Sequence, residues 1–181
     1  EEEQWDGLVD MAREELTGGA HVLDVCVDFV GRDGVADMEE IVGRLAQHVD
    51  APLMLDSTDA NAIEAGLKRG GGRCIVNSIN LEDGEQRLDD ICPLLKQYGA
   101  TAVALTIDEE GMAKTSARKV EVAKRLHDLY TNKWGLQSSD MMLDVLTFTI
   151  ATGMEADRKL ALETLDAIEI ISKELPECGL L

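Results

Sequence analysis

Short apolar runs that end on a carboxylate or amide side chain recur along the chain: HVLDVCVD reaches Asp24 and Asp28, LML reaches Asp56, CIV reaches Asn77, AVALTI reaches Asp108 and MML reaches Asp144. Such runs predict buried parallel strands, and a polar residue at the C-terminal end of each marks one shared face as the chemical one. The stretches between them have room for one crossover helix each. Trp5, Leu8, Val9, Ala12 and Leu16 form a helical stripe ahead of any strand. Met38, Ile41, Val42 and Leu45 follow the GRDG turn at 31 to 34, and Ile63 and Leu67 follow the cap oxygens of Ser57, Thr58 and Asp59. Leu88, Ile91, Leu95 and Tyr98 predict a fourth helix stopped by Gly99. Val120, Ala123, Leu126 and Tyr130 predict a fifth, before a WGLQSSD loop. Leu162, Leu165, Ile168 and Ile171 predict a last helix, ended by Pro176 and Gly179. The order is one helix, then five βα units.

Five such strands fit an open doubly wound sheet or part of a closed eight-stranded barrel. A nucleotide-binding open sheet requires a glycine-rich turn straight after its first strand, whereas GGGR at 70 to 73 precedes a strand and reads as a helix-ending turn. Polar groups after nearly every strand are the habit of the barrel, whose loops converge on one mouth.

Composition narrows the classes. The 181 residues, 45% hydrophobic, suffice for one core. A net charge of −19, from 17 Lys and Arg against 36 Asp and Glu, argues against a nucleic-acid partner, and the acidic surplus reads as solvated helix faces. Cys26, Cys74, Cys92 and Cys178 lack the pairing of a zinc site or a disulfide scaffold and read as reduced core residues. His21, His48 and His127 read as structural. No run is long enough to span a bilayer and EEEQWDGL is no signal peptide, so no membrane partner and a cytoplasmic location are expected.

DVCVDFVGRDGVADM, LMLDSTDANAIEAGL, IVNSINLEDGE, VALTIDEEGMAKT and MMLDVLTFTIATG resemble successive strand and loop motifs of the pterin-binding domains of cobalamin-dependent methionine synthases, over about residues 10 to 176. Corrinoid/iron–sulfur-protein methyltransferases and dihydropteroate synthase are similar more distantly. The resemblance implies an α/β fold, a (β/α)8 TIM barrel of the pterin-binding type, of which residues 1–181 are a partial domain. The family's first strand, with an Asn-x-x-Gly-Glu-Arg-like motif, is expected before residue 1, and its last two strands after Pro176. It also implies a methyltransferase that binds 5-methyltetrahydrofolate and passes the N5 methyl group to cob(I)alamin for methionine synthesis. The cobalamin-binding module and the homocysteine-binding module with its zinc are expected outside this chain, and no metal within it.

Carried over residue by residue, the resemblance makes Asp56, Asn77 and Asp144 pterin ligands, with Asp144 the bidentate partner of the pterin's adjacent amino group and ring N–H. Asp108 is a possible accessory group. Asp24, Asp28 and Asp108 are equally readable as rim hydrogen-bonding groups or as loop structure, and Asn80 as a loop residue. No residue is assigned to protonate N5. Alternatives are a dihydropteroate synthase-like enzyme, for which the expected basic phosphate-binding residue and late-strand Lys are not evident, and a non-catalytic pterin-binding remnant.

Overall fold

The computed structural model describes residues 4–181. Its elements in chain order are α1 (Trp5–Thr17), β1 (Leu23–Cys26), α2 (Gly34–His48), β2 (Leu53–Asp56), α3 (Ala60–Arg69), β3 (Ile75–Ile79), α4 (Gln86–Tyr98), β4 (Thr101–Leu105), β5 (Ile107–Asp108), β6 (Gly111–Met112), α5 (Ser116–Asp128), β7 (Met141–Asp144), α6 (Leu160–Glu174) and β8 (Gly179–Leu180). Six strands form a parallel sheet in the order β1-β2-β3-β4-β7-β8, and β5 and β6 make a separate antiparallel hairpin. The alternation of strand and helix in the sequence thus becomes a parallel α/β architecture. The chain divides into two compact units, residues 1–77 with 94–101 and residues 78–93 with 102–181.

In the first unit, β1 and β2 run in register from Leu23 opposite Leu53 to Cys26 opposite Asp56. Leu53 and Leu55 are buried while Met54 and Asp56 are half-buried, the two-residue period of a strand with unlike faces. The buried face meets α2 and α3, whose Met38, Val42, Ala62 and Ile63 exclude solvent. Gly66 permits this contact: a Cβ there would stand 2.9 Å from both Leu55 Cδ1 and Met38 Cγ. Asp33 caps α2 by accepting the Ala36 N–H at 3.1 Å, and Asp59 caps α3 by accepting that of Asn61 at 2.8 Å. Arg32 grips the buried Asp37 at 2.5 and 2.6 Å, and this guanidinium holds the carboxyl below its ordinary range.

Helix α4 buries Leu88, Ile91, Cys92 and Leu95 and stops at Gly99, whose φ of 65° lets the Ala100 N–H return to the Leu95 carbonyl at 3.1 Å. In the second unit, β4 and β7 pair from Ala102 opposite Met141 to Leu105 opposite Asp144. Helix α5 begins at the Thr115 cap and continues into a π-helical turn, Leu129–Lys133, which keeps Tyr130 buried with its hydroxyl donating to the Asp140 carbonyl at 2.9 Å.

Four expectations change. The run ending at Asp108 is not one strand: β4 stops at Leu105, and Asp108 lies in the β5–β6 hairpin, paired opposite Gly111. Thr106 accounts for the break, because its N–H turns to the Asp144 carbonyl at 3.1 Å while its own carbonyl accepts from Ala113 at 3.0 Å. Asn77 stands inside β3, with Ser78 and Ile79 still in the strand. The buried stripe of α6 is Leu160, Thr164, Ala167 and Ile171, whereas Leu162 and Leu165 are 59% and 61% exposed. A helix apolar on several sides does not reveal its inner face by periodicity, and the small Thr164 and Ala167 suit the side packed against α5. The chain past Pro176 is not only a terminator, since Gly179–Leu180 pairs in parallel with β7 as a sixth strand.

The hairpin is held by arginines from α5. Arg118 pairs with Asp108, and Arg125 meets Glu109 through two bonds of 2.7 Å. Chiefly through its hydrogen bond, the Arg125 guanidinium pulls the Glu109 carboxyl from 4.5 down to about 2. A depressed carboxyl stabilises the fold above its ordinary value, and that contribution is lost as pH falls from 4.5 through about 2. Replacing Arg125 by Ala is expected to raise the midpoint toward 4.5, read from the Glu109 carboxyl carbon shift across a pH titration. A midpoint that stays near 2 would place the hold on Glu109 elsewhere.

Strands β1 and β8 each have a neighbour on one side only among the described residues, and Leu8, Met11, Phe29 and Val30 are exposed. Unpaired strand edges beside apolar surface promote association. Residues 1–181 expressed alone should therefore be oligomeric, aggregated or molten. Light scattering and near-ultraviolet dichroism test this, and a monodisperse, cooperatively melting monomer would refute it.

Candidate functional site

Asp56 and Asn77 are direct neighbours in the first unit, register partners on the parallel strands β2 and β3. Because Leu55 and Val76 bury the helix-covered face, the two-residue period puts Asp56 and Asn77 on the opposite face, where both are half-buried. The Asn77 amide makes no hydrogen bond among the described residues, so its donors and its acceptor are available to a ligand.

The loop after β2 is organised by Asp28. One of its carboxylate oxygens accepts the Ser57 hydroxyl at 2.6 Å; the other accepts the Thr58 N–H at 2.8 Å and the Thr58 hydroxyl at 3.0 Å. Ser57 in turn accepts the Asp59 N–H at 3.0 Å. Of the two readings open for Asp28, the geometry supports loop structure: it fixes the Asp-Ser-Thr segment that begins at Asp56. Asp24 lies within β1 and is exposed, with Leu23 and Val25 on the buried face.

In the second unit, Asp144 ends β7 on the half-buried face opposite Leu143. Its backbone carbonyl accepts both the N–H and the hydroxyl of Thr106, at 3.1 and 3.2 Å. Its side-chain Oδ1 accepts the Leu146 N–H at 2.7 Å. A carboxylate offers about four acceptor positions, so a bidentate donor can still be served. Asp108 is 2% exposed and spends its carboxylate on Arg118 and, at 3.1 Å, on the Glu110 N–H. These contacts hold the hairpin. Asn80 likewise caps its own loop, accepting the Glu82 N–H at 3.0 Å.

The sequence reading passed over Lys119, whose side chain is fully buried and whose ammonium donates to the Val145 carbonyl and, at 2.9 Å, to that of Leu146. A lysine beside Val120 on an otherwise charged helix carries no pattern that separates it from a solvated one. Burial lowers its pKa, while the nearby Asp144 and Glu163 carboxylates act in the opposite sense.

Among the described residues no three His, Cys, Asp or Glu side chains are grouped as metal ligands, and no helix is long and apolar enough to cross a membrane. Cys74 and Cys92 are buried, and burial pushes the Cys92 thiol up to about 12, which removes thiolate chemistry. Cys26 is exposed, contrary to the reading of all four as core, because it takes the outward position of β1. His48 and His127 are engaged with the Arg44 carbonyl and the Ser138 hydroxyl, both at 2.9 Å. A cavity of about 430 Å³ in the first unit opens among Ala46, Pro52, Gly72 and Arg73. It lies at the N-terminal ends of β2 and β3, away from Asp56 and Asn77, where the architecture stabilises rather than reacts.

Residues 1–179 match the model of the family described as pterin binding enzyme. The chain is 50% identical over 177 residues to the methionine synthase of Mycobacterium leprae (strain TN), and 48% identical over 178 residues to that of Mycobacterium tuberculosis (strain ATCC 25618 / H37Rv). Those alignments cover 96% and 97% of this chain but 15% of each relative, so the chain spans a small part of the length of the proteins it matches. Among solved structures, a Yersinia pestis dihydropteroate synthase carrying a pterin–sulfa conjugate superposes with a TM-score of 0.66 at 14% identity, covering 98% of this chain and 66% of that one. A Xanthomonas albilineans dihydropteroate synthase in complex with 7,8-dihydropteroate gives 0.65 at 14% identity, covering 99% and 63%. At that identity the likeness is one of fold, and it agrees with a partial barrel. The chain therefore belongs to the pterin binding enzyme family.

Proposed function

We propose that this chain is the folate-binding part of a cobalamin-dependent methionine synthase, which binds 5-methyltetrahydrofolate and presents its N5 methyl group for transfer. The observation that carries the reading is the Asp56–Asn77 pair, set side by side on the half-buried face of the sheet in a chain half identical to methionine synthases. Asp56, Asn77 and Asp144 are assigned to the pterin. The pterin edge offers an amino group and a ring N–H side by side, which one carboxylate accepts together, and Asp144 takes that role. Asn77 both donates and accepts, which suits the mixed edge of ring nitrogen and carbonyl that it shares with Asp56. Asp28 and Asp108 act at one remove, holding the loops.

Cobalamin, carried by another module, supplies the nucleophile. The chain's own contribution is to bind and orient the folate and to keep water from N5. An amide-like anion at N5 is too basic to leave, so a proton must reach that nitrogen with or before transfer. General acid catalysis of that kind is worth roughly a hundredfold to ten-thousandfold. The homocysteine-binding module and its zinc belong elsewhere in the parent enzyme, and the cytoplasm suits the reaction. A dihydropteroate synthase role is less well supported, because those relatives match at 14% against 50%.

The test is made in the complete gene product that contains this sequence. Asp144→Ala should weaken 5-methyltetrahydrofolate binding by about 2 to 4 kcal/mol, because a charge-assisted pair is lost and pterin donors are left buried. Calorimetric titration that finds unchanged affinity would remove Asp144 from the site. Asn77→Ala should cost less, on the order of 1 to 2 kcal/mol, since a neutral amide is removed. Stopped-flow methyl transfer to cob(I)alamin accompanies these titrations. A complete gene product that binds folate but transfers no methyl group would favour a binding remnant.

A further inference from the structure

Lys119 is a buried charge that the proposed chemistry leaves unused. Its ammonium lies where the chain turns after β7, donating to the successive carbonyls of Val145 and Leu146, with its nitrogen 4.9 Å from the centre of the Phe148 ring. Two consecutive carbonyls converge on one donor only where the backbone curls tightly, and Leu146 supplies the curl. Its φ of 59° makes it the one left-handed residue other than glycine among those described. A leucine holds that conformation only when its surroundings impose it. The Thr164 hydroxyl adds a further bond to the Leu146 carbonyl at 3.0 Å. The same curl aims the Leu146 N–H at Asp144 Oδ1, 2.7 Å away.

We infer that Lys119 is a positioning residue for folate binding: by gathering the Val145 and Leu146 carbonyls it sets the turn whose N–H orients the Asp144 carboxylate toward the pterin. The inference rests on the assignment of Asp144 as a pterin ligand. Burial lowers the pKa of this lysine and so disfavours the ammonium, the Asp144 and Glu163 carboxylates oppose that shift, and the two carbonyls and the aromatic face are the ammonium's direct contacts. A lysine serving the core alone would need no link to the residue that ends β7.

A double-mutant cycle separates positioning from plain structural support. In the complete gene product, 5-methyltetrahydrofolate is titrated into the parent, Lys119→Met, Asp144→Ala and the double variant, well below each melting temperature. If Lys119 acts through Asp144, Lys119→Met weakens binding about tenfold in the parent background and less than about twofold once Asp144 is Ala. Equal losses in both backgrounds, or a lowered melting temperature with unchanged affinity, would overturn the inference while leaving the folate reading intact. Asp144→Ala with unchanged affinity would instead remove the ligand assignment, and the inference with it. Thr164→Val, which takes one donor from the Leu146 carbonyl and keeps the side-chain shape, stands in if Lys119→Met does not fold. Its smaller loss should likewise vanish in the Asp144→Ala background.

Discussion

Burial of alternate strand residues against the helices decides where the chemistry of this chain can lie. With Leu53 and Leu55 committed to α2 and α3, Asp56 has no choice of face, and with Met141 and Leu143 buried the same holds for Asp144. A slip of one residue in either strand would turn the carboxylate into the helices, where nothing compensates a charge. The apolar residues of each strand therefore act as an orienting device for the polar residue that ends it, and the register between β2 and β3 extends the effect to Asn77.

What the sheet orients, the loops must hold, and here the scarce cations matter. Against 36 acidic residues the chain has 17 Lys and Arg, and several of these secure segments that follow strands. Arg118 and Arg125 clasp the β5–β6 hairpin, Arg32 grips Asp37 at the start of α2, and Lys119 holds the turn after β7. Exposed pairs of this kind contribute little individually and weaken in salt, while the buried Lys119 is screened much less. Removing one partner of the buried contacts is the costly change, because a desolvated group is left behind.

Much of this was legible from residue order. The strands ending at Asp56 and Asp144, the caps at Asp59 and Gly99 and the stripes of α2 to α5 follow from local periodicity and turn chemistry, and the motif resemblance named the family. What escaped depends on contacts between segments distant in sequence. Thr106 breaks the run toward Asp108 because Asp144, far along the chain, accepts from its backbone and its hydroxyl. The inner face of α6 depends on its packing with α5, and Asp28 shows its role only once it lies beside Ser57 and Thr58. Lys119 was the least visible of all, since nothing along the helix marks it as buried.

The close approach at Gly66 couples three positions in evolution. Leu55 Cδ1 and Met38 Cγ stand where a methyl group on Gly66 would grow, so drift at 66 toward alanine requires these side chains to shift and favours a smaller one at 38 or 55. Since α3 is capped by Asp59, three residues beyond Asp56, an uncompensated change there would be felt as a tilt of the helix and passed back to the end of β2. Within a collection of relatives, positions 38, 55 and 66 should thus covary in volume, a packing signature that is silent in any single sequence.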